Sequence, residues 1–382
     1  MKIAILKENK NEYRVSVVPK DVQRFVNDKH TVAITSGAGS LAGFNDDEYK
    51  KAGAEIVNTN KIAIKNAQII FKISSVQPKE LKLIDPSQII ISLFNLSNNP
   101  KLLKALLKNK NSTLGVEAMH DNGEYVALIP NEQIKGRFGA IVSAYHLSKL
   151  DKNGYGKTIS PINFDNEHAN FVILNASYAG YEAARTILAL GGNLTILETN
   201  DQLIQQVKHD GIFSTLAHLY NSKFDIVKSD FDNLNQYITK ADVLINTNAF
   251  PGSLTQKRIT EKMISSMHKG AVYVNLASDQ GFGAETERKP STFKKPTFIA
   301  NNVIHFNIEN VASVFPSSAS SAVSNAVTNH LLKAIKGENM LGRIKESPIF
   351  FNAILTYDGK LTSKTVADSL HLQYTDIKTL IK

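Results

Sequence analysis

The run Phe171-Val172-Ile173-Leu174 followed by Asn175-Ala176-Ser177-Tyr178-Ala179-Gly180 reads as a strand entering a tight turn and then a helix. Such a turn does specific chemistry. The first N–H groups of a helix lack intrahelical acceptors and can hold the pyrophosphate of a dinucleotide. Against the spacing G-x-G-x-x-G only the third glycine, Gly180, is present, and Asn175 and Ser177 occupy the first two positions. Asparagine tolerates left-handed backbone, so Asn175 can still make the turn. Ser177 is small, but its side chain occupies space that a pyrophosphate approaches. Further on, Glu198 closes the strand Leu194-Thr195-Ile196-Leu197. A carboxylate there accepts hydrogen bonds from ribose hydroxyls and repels a 2′-phosphate, which favours NAD over NADP. A solvated strand-end carboxylate is the alternative reading of Glu198.

Other chemistries are excluded by composition. With no cysteine among 382 residues, disulfides, thiolate metal sites and cysteine nucleophiles are absent. The ten histidines show no ligand-like spacing, so no metal site is expected. The net charge of +9 is spread along the chain without a basic block or aromatic-interleaved stripe, which reads as a solvated surface and not a nucleic-acid site. No apolar run approaches the ~20 residues needed to cross a bilayer. The opening Met1-Lys2-Ile3-Ala4-Ile5-Leu6-Lys7-Glu8 turns charged too soon for a secretory signal and reads as a buried strand. A cytoplasmic protein is expected, with no membrane partner.

The elements that must position these residues form three sections. Up to about residue 130, strands at Val32–Ile34, Ile69–Phe71 and Ile89–Ile91 alternate with helices at Asp21–Asn27 and Pro100–Lys108. This pattern implies a parallel sheet covered on both faces. A long helix is expected over Asn131–Leu150, and the β-α-β rhythm resumes from Asn170, with later strands at Val243–Asn246 and Ala271–Val274. Beyond about residue 305 a Ser-rich segment leads into a helix over Val323–Ile335, and the final stretch packs back on the first section. The expected architecture is α/β: residues 1–130 plus 305–382 form one discontinuous domain, interrupted by a nucleotide-binding domain at 131–304.

At this point the sequence resembles alanine dehydrogenases and the related transhydrogenase nucleotide-binding subunit. The resemblance is carried by Lys7-Glu8…Asn11-Glu12-Tyr13-Arg14-Val15…Pro19, Ser36-Gly37-Ala38-Gly39, Gly43-Phe44 and Ala52-Gly53-Ala54-Glu55-Ile56-Val57. It continues through Gly136-Arg137…Gly139-Ala140…Ala144-Tyr145-His146-Leu147, Ala179-Gly180-Tyr181…Ala183-Ala184-Arg185, Ala277-Ser278-Asp279-Gln280-Gly281 and Val303-Ile304-His305-Phe306…Asn310. These landmarks fall in family order from residue 1 to beyond 330. The tail and Tyr145-His146-Leu147 favour the dehydrogenase side, whereas Asn99-Pro100 looks more like transhydrogenase.

The resemblance implies a Rossmann domain set into a second flavodoxin-like or Rossmann-like domain. It implies NAD-dependent oxidative deamination of L-alanine to pyruvate and ammonia, and a homo-oligomer, a hexamer by family habit. It assigns Arg14 to clamp the substrate carboxylate and Asp279 to stand beside the nicotinamide and the attacking water. It places Ser143, Asn175, Ser177, Tyr178, Ala179, Gly180, Glu198, Asp279 and Asn310 around the cofactor, in a crevice between two lobes. At two catalytic positions the chain departs from the family. Ser74 stands where the family has a catalytic lysine, and Asn95 where it has a catalytic histidine. Ser317-Ser318-Ala319-Ser320 likewise replaces an arginine-containing run. Lys72, His120 and His305 are possible stand-ins, and each also has a plain reading: a strand-end surface cation, a loop residue and a packing residue. Three functions follow: an alanine-type dehydrogenase, an impaired paralogue kept as a nucleotide-binding or regulatory module, or a dehydrogenase acting on a different amino or oxo acid.

Overall fold

The structure, a computed structural model, describes residues 1–162, 167–248, 258–277, 281–335 and 347–381. Its described residues divide into two compact units, one formed by 1–131 and 312–382, the other by residues between 132 and 311. The helix Ile129–Leu147 carries the chain from the first unit into the second.

The first unit is built on β1 (Lys2–Ile5), β2 (Thr31–Thr35), β3 (Glu55–Val57), β4 (Ile69–Ser74), β5 (Ile89–Leu93) and β6 (Ser112–Gly115). These six pair in parallel in the order β3-β2-β1-β4-β5-β6. Their apolar runs are continuous because both faces are buried. Ile3, Ile5, Ile69, Phe71, Ile89 and Ile91 enter one core, and Ala4, Leu6, Ile70 and Ile90 the other. The order reverses between β1 and β4, and ligands of open α/β sheets bind in the crevice that such a reversal opens at the carboxyl ends of the strands.

In the second unit the strands are β7 (Asn170–Leu174), β8 (Asn193–Glu198), β9 (Phe224–Lys228), β10 (Val243–Asn246), β11 (Val272–Asn275), β12 (Thr297–Ala300) and β13 (Val303–Phe306). Their order is β9-β8-β7-β10-β11-β13-β12, with β12 antiparallel to β13 and the remaining pairs parallel. Phe171 and Ile173 face one core, Val172 and Leu174 the other. Here the reversal lies between β7 and β10.

The chain returns to the first unit beyond β13. It adds β14 (Ile354–Tyr357) and β15 (Lys360–Leu361), which extend the first sheet antiparallel from β6. The Ser-rich segment is no linker, since the helix runs Pro316–Ala334 and begins seven residues before Val323. Pro316 opens it at a position where its missing N–H costs nothing. Two of its serines, Ser320 and Ser324, bond sideways to another segment, as described next.

Candidate functional site

Arg14 lies on the extended segment that follows β1, and serines from the C-terminal part of the first unit hold that segment in place. The hydroxyls of Ser313, Ser320 and Ser324 accept the backbone N–H groups of Tyr13 (2.8 Å), Val15 (2.9 Å) and Val18 (3.1 Å). These N–H groups lie outside any sheet, those of Val15 and Val18 buried, so they need such partners. Arg14 is 3% exposed and forks onto Glu12, with Nε 2.7 Å from Oε1 and Nη2 2.7 Å from Oε2. Its Nη1 donates to Asn131 Oδ1 at 3.3 Å. Burial alone would raise the Glu12 carboxyl, but the Arg14 guanidinium outweighs it and holds Glu12 below the usual carboxylate range. The guanidinium therefore forms a rigid pair, already oriented by an internal carboxylate.

At the carboxyl ends of β1 and β4 stands a second cluster. Ser74 Oγ donates to Glu8 Oε2 at 2.5 Å, and the N–H groups of Ile73 (2.6 Å) and Ser74 (3.0 Å) donate to the same carboxylate. Asn9 Nδ2 donates to Ser74 Oγ at 3.1 Å, while Lys72 Nζ donates to Asn9 Oδ1 at 3.1 Å. Burial, then the nearby charge of Glu12, pushes the Glu8 carboxyl up to about 7. Lys72 is not the surface cation or the substitute for a lysine at 74 that its sequence position allows. Alternation along β4 turns its side chain to the face of Ile70, where it is fully buried and paired with Glu80 Oε2 at 2.8 Å.

Asn95 follows β5 in the left-handed region, with φ 45°. Glu117 fixes this turn by accepting the N–H groups of Phe94 (3.1 Å) and Asn95 (2.9 Å). Burial pushes the Glu117 carboxyl up to about 7. The Asn95 side chain is half-buried and cannot carry a proton. His120 is a half-buried loop residue whose ring packs 5.0 Å from that of Tyr125. His305, in the second unit, is fully buried and bonded through both ring nitrogens to Thr286 and Val303. Burial pushes it down to about 4, which makes it a neutral packing residue and not a proton carrier.

The second unit presents the phosphate turn at the β7–β10 reversal. Asn175 has φ 77° and makes the turn as a left-handed residue. Ser177 caps the helix Tyr178–Ala189, accepting Gly180 N–H at 3.2 Å. Its hydroxyl in turn donates to Thr247 Oγ1 at 3.0 Å, which fixes it at the helix end. Gly180 is required, since a Cβ there would lie 2.2 Å from the Asn175 carbonyl oxygen. Gly136 is required too, because a Cβ would lie 2.2 Å from the Ala179 carbonyl oxygen. Tyr178 is 39% exposed at the helix start, and Ala179 is buried behind it.

Glu198 is 1% exposed, not a solvated strand-end carboxylate. It accepts the N–H groups of Ala176 (2.7 Å), Thr199 (2.7 Å) and Asn200 (2.9 Å), tying β8 to the phosphate turn. Ser143 is fully buried, and its hydroxyl bonds back to the Ala140 carbonyl within its own helix. Asn310 is half-buried and left-handed, with φ 55°. Asp279 lies outside the described residues, as do Ser278 and Gln280. Among the described residues no cluster of acidic and histidine side chains could hold a metal ion, and no helix is long and apolar enough to cross a membrane.

The turn fits a dinucleotide: a left-handed first residue, an obligatory glycine and a helix N-terminus capped by a small side chain. Sequence reasoning did not single out Glu8, Asn9, Glu117, Thr247 or the roles of Ser313, Ser320 and Ser324. Only the serines carried a local signal, through the spacing of four between Ser320 and Ser324, which places both on one helix face.

Comparison with known proteins accords with this geometry. Residues 4–134 match the family described as "Alanine dehydrogenase/PNT, N-terminal domain", and residues 140–364 match "Alanine dehydrogenase/PNT, C-terminal domain". The chain is 30% identical over 384 residues to an alanine dehydrogenase of Staphylococcus saprophyticus, covering 100% of each. It is also 30% identical over 386 residues to alanine dehydrogenase 1 of Staphylococcus aureus, again covering 100% of each. Among solved structures it resembles an L-alanine dehydrogenase with TM-score 0.84 and 25% identity, covering 97% of this chain and 99% of that one. A transhydrogenase from Sinorhizobium meliloti shares the fold, with TM-score 0.75 and 21% identity over 95% of this chain and 99% of that one.

Proposed function

The chain belongs to the alanine dehydrogenase/PNT family, and from that premise we infer that it is an NAD-dependent amino-acid dehydrogenase converting L-alanine, NAD and water to pyruvate, ammonia and NADH. The observation that carries this reading is the turn after β7, in which Asn175 takes the left-handed conformation, Gly180 leaves no room for a Cβ and Ser177 caps the helix. Bound NAD supplies the acceptor for the hydride leaving the α-carbon. The N–H groups at the start of the Tyr178–Ala189 helix would hold its pyrophosphate, and Glu198 braces the turn that presents them. Asp279, Ser143 and Asn310 remain assigned to the cofactor by family resemblance.

Arg14 binds the substrate carboxylate. Its Nε and Nη2 are already forked onto Glu12, which fixes the guanidinium so that little freedom is lost when its Nη1–Nη2 end meets a carboxylate. Small amino and oxo acids are the substrate class. A cytoplasmic homo-oligomer is the expected working form, with hexamers implied by the family.

Ser74 and Asn95 favour a second reading, in which the chain turns alanine over feebly, prefers another amino acid, or serves as a nucleotide-binding module. Equilibrium titration with NADH, followed by its fluorescence, separates these. Saturable binding together with L-alanine-dependent NADH formation supports the dehydrogenase, and saturable binding without turnover supports the module. Absence of both binding and turnover overturns the dinucleotide site itself.

A further inference from the structure

Deamination needs a group that takes a proton from the attacking water and later returns one to the departing nitrogen. Neither serine at 74 nor asparagine at 95 titrates in the needed range. Besides the cations Lys7, Lys10 and Arg14, four carboxylates and Lys72 lie around the carboxyl ends of β1, β4 and β5 among the described residues. Glu12 is held ionised by Arg14, Lys72 and Glu80 neutralise one another in a buried pair, and Glu117 is 3% exposed with backbone partners. Glu8 remains, half-buried and hydrogen-bonded to the half-buried Ser74 hydroxyl.

Resting on the dehydrogenase reading above, we propose that Glu8 and Ser74 form the proton-transfer pair of this chain, with the Ser74 hydroxyl relaying protons between the reacting substrate and the Glu8 carboxylate. The hydrogen-bond directions make the relay specific. Lys72 can only donate, so it fixes the Asn9 amide with Oδ1 toward itself and Nδ2 toward Ser74. Ser74 Oγ therefore accepts from Asn9, and its single hydrogen points at Glu8. As water adds to the imine carbon, its O–H bond breaks and the proton passes to Ser74 Oγ while the serine hydrogen moves to Glu8 Oε2. In the second half the Glu8 proton returns to Ser74, whose hydrogen passes to the nitrogen; as the C–N bond breaks, the carbinolamine O–H becomes the carbonyl and gives its proton to the departing ammonia. The pair begins and ends in the same state.

The carboxyl is poised for this exchange, since burial and Glu12 push it up to about 7. The charges facing it are Glu12, with Arg14 behind it, on the following segment, and Lys72 on β4, with Glu80 behind it. Lys7 and Lys10 flank it on its own segment. A lysine at 74 would set an ammonium beside Glu8 and hold it ionised, so the serine is what leaves Glu8 able to exchange a proton near neutrality.

The test is the pH profile of kcat for alanine-dependent NAD reduction by the full chain, alongside carboxyl titration of cofactor-free protein labelled with ¹³C-glutamate. Wild type should show a limb near pH 7 and labelled carboxyls titrating near 7, one of which disappears in Glu8→Gln and the other in Glu117→Gln. Glu8→Gln and Ser74→Ala should each lower kcat by about 10²-fold or more and abolish the limb. Ser74→Thr, which keeps the hydroxyl, should retain most activity and the limb. Wild-type profiles in both Glu8→Gln and Ser74→Ala overturn the pair while leaving the dehydrogenase intact. A Glu8 carboxyl ionised throughout the range overturns it even if the Glu8 variant fails to fold. No turnover by wild type at any pH sinks the dehydrogenase reading, and the pair with it.

Discussion

At the scale of single residues, the molecule substitutes one kind of atom for another while keeping the position. Asn175 replaces a glycine at φ 77°, a conformation asparagine bears better than most residues. Gly180 admits no such exchange, because its Cβ would meet a carbonyl oxygen at 2.2 Å. Gly180→Ala should therefore weaken NADH binding by about tenfold or more by displacing the turn, as fluorescence titration would show. Glu117 offers a separate test through linkage. Its carboxyl sits at about 7 in the folded protein against 4.5 unfolded. Between those values the folded chain keeps a proton that the unfolded chain has lost, so ionisation of Glu117 costs stability as pH rises through this window. Glu117→Gln keeps an acceptor for the Asn95 turn without that cost. Its stability relative to wild type should improve by roughly 3 kcal/mol between mildly acidic and mildly alkaline pH, measured by denaturant unfolding at each pH. A difference independent of pH would mean that Glu117 is ionised throughout.

Elements fix where those residues stand, and here the sequence was legible in part. Strands such as Phe171–Leu174 were readable because both faces of a parallel sheet are apolar, and the helix Pro100–Lys108 was readable from its proline start and amphipathic pattern. The Pro316–Ala334 helix was half hidden, since its first turns are serines. Two of them, Ser320 and Ser324, face the Val15–Val18 segment some 300 residues away in sequence, as Ser313 just before the helix faces Tyr13, and no local pattern announces so distant a partner. Ser320→Ala should destabilise the first unit by about 1–3 kcal/mol, because it strands a buried N–H, and Ser324→Ala should act alike. Thermal unfolding would check both. Lys72 shows the same limit. A lysine at a strand end looks like a surface cation, and only the position of Glu80 on the neighbouring helix explains its burial. Lys72→Met alone should cost about 3–5 kcal/mol by leaving Glu80 unpaired, whereas Lys72→Met with Glu80→Leu should recover much of that loss. Equal losses in the single and double variants would contradict the pairing.

At the scale of the whole molecule, two sheets that share the order of their first five strands carry different chemistry at the same feature, the point where the strand order reverses. The first unit gathers Arg14, Glu8 and Ser74, and the second gathers the phosphate turn and Glu198. Family membership was readable from landmarks spread over the chain, whereas the Glu8–Ser74 contact was not, because it joins residues 66 positions apart. Ligand linkage gives a global check, since saturating NADH at about 100 times its Kd should stabilise the fold by about 2.7 kcal/mol. The most direct measurement is the initial rate of NADH formation when the purified full chain meets NAD and L-alanine, with D-alanine as the control. The account predicts a saturable rate specific to the L-enantiomer and lost in Glu8→Gln. NADH binding with no L-alanine-dependent rate at any pH would contradict it.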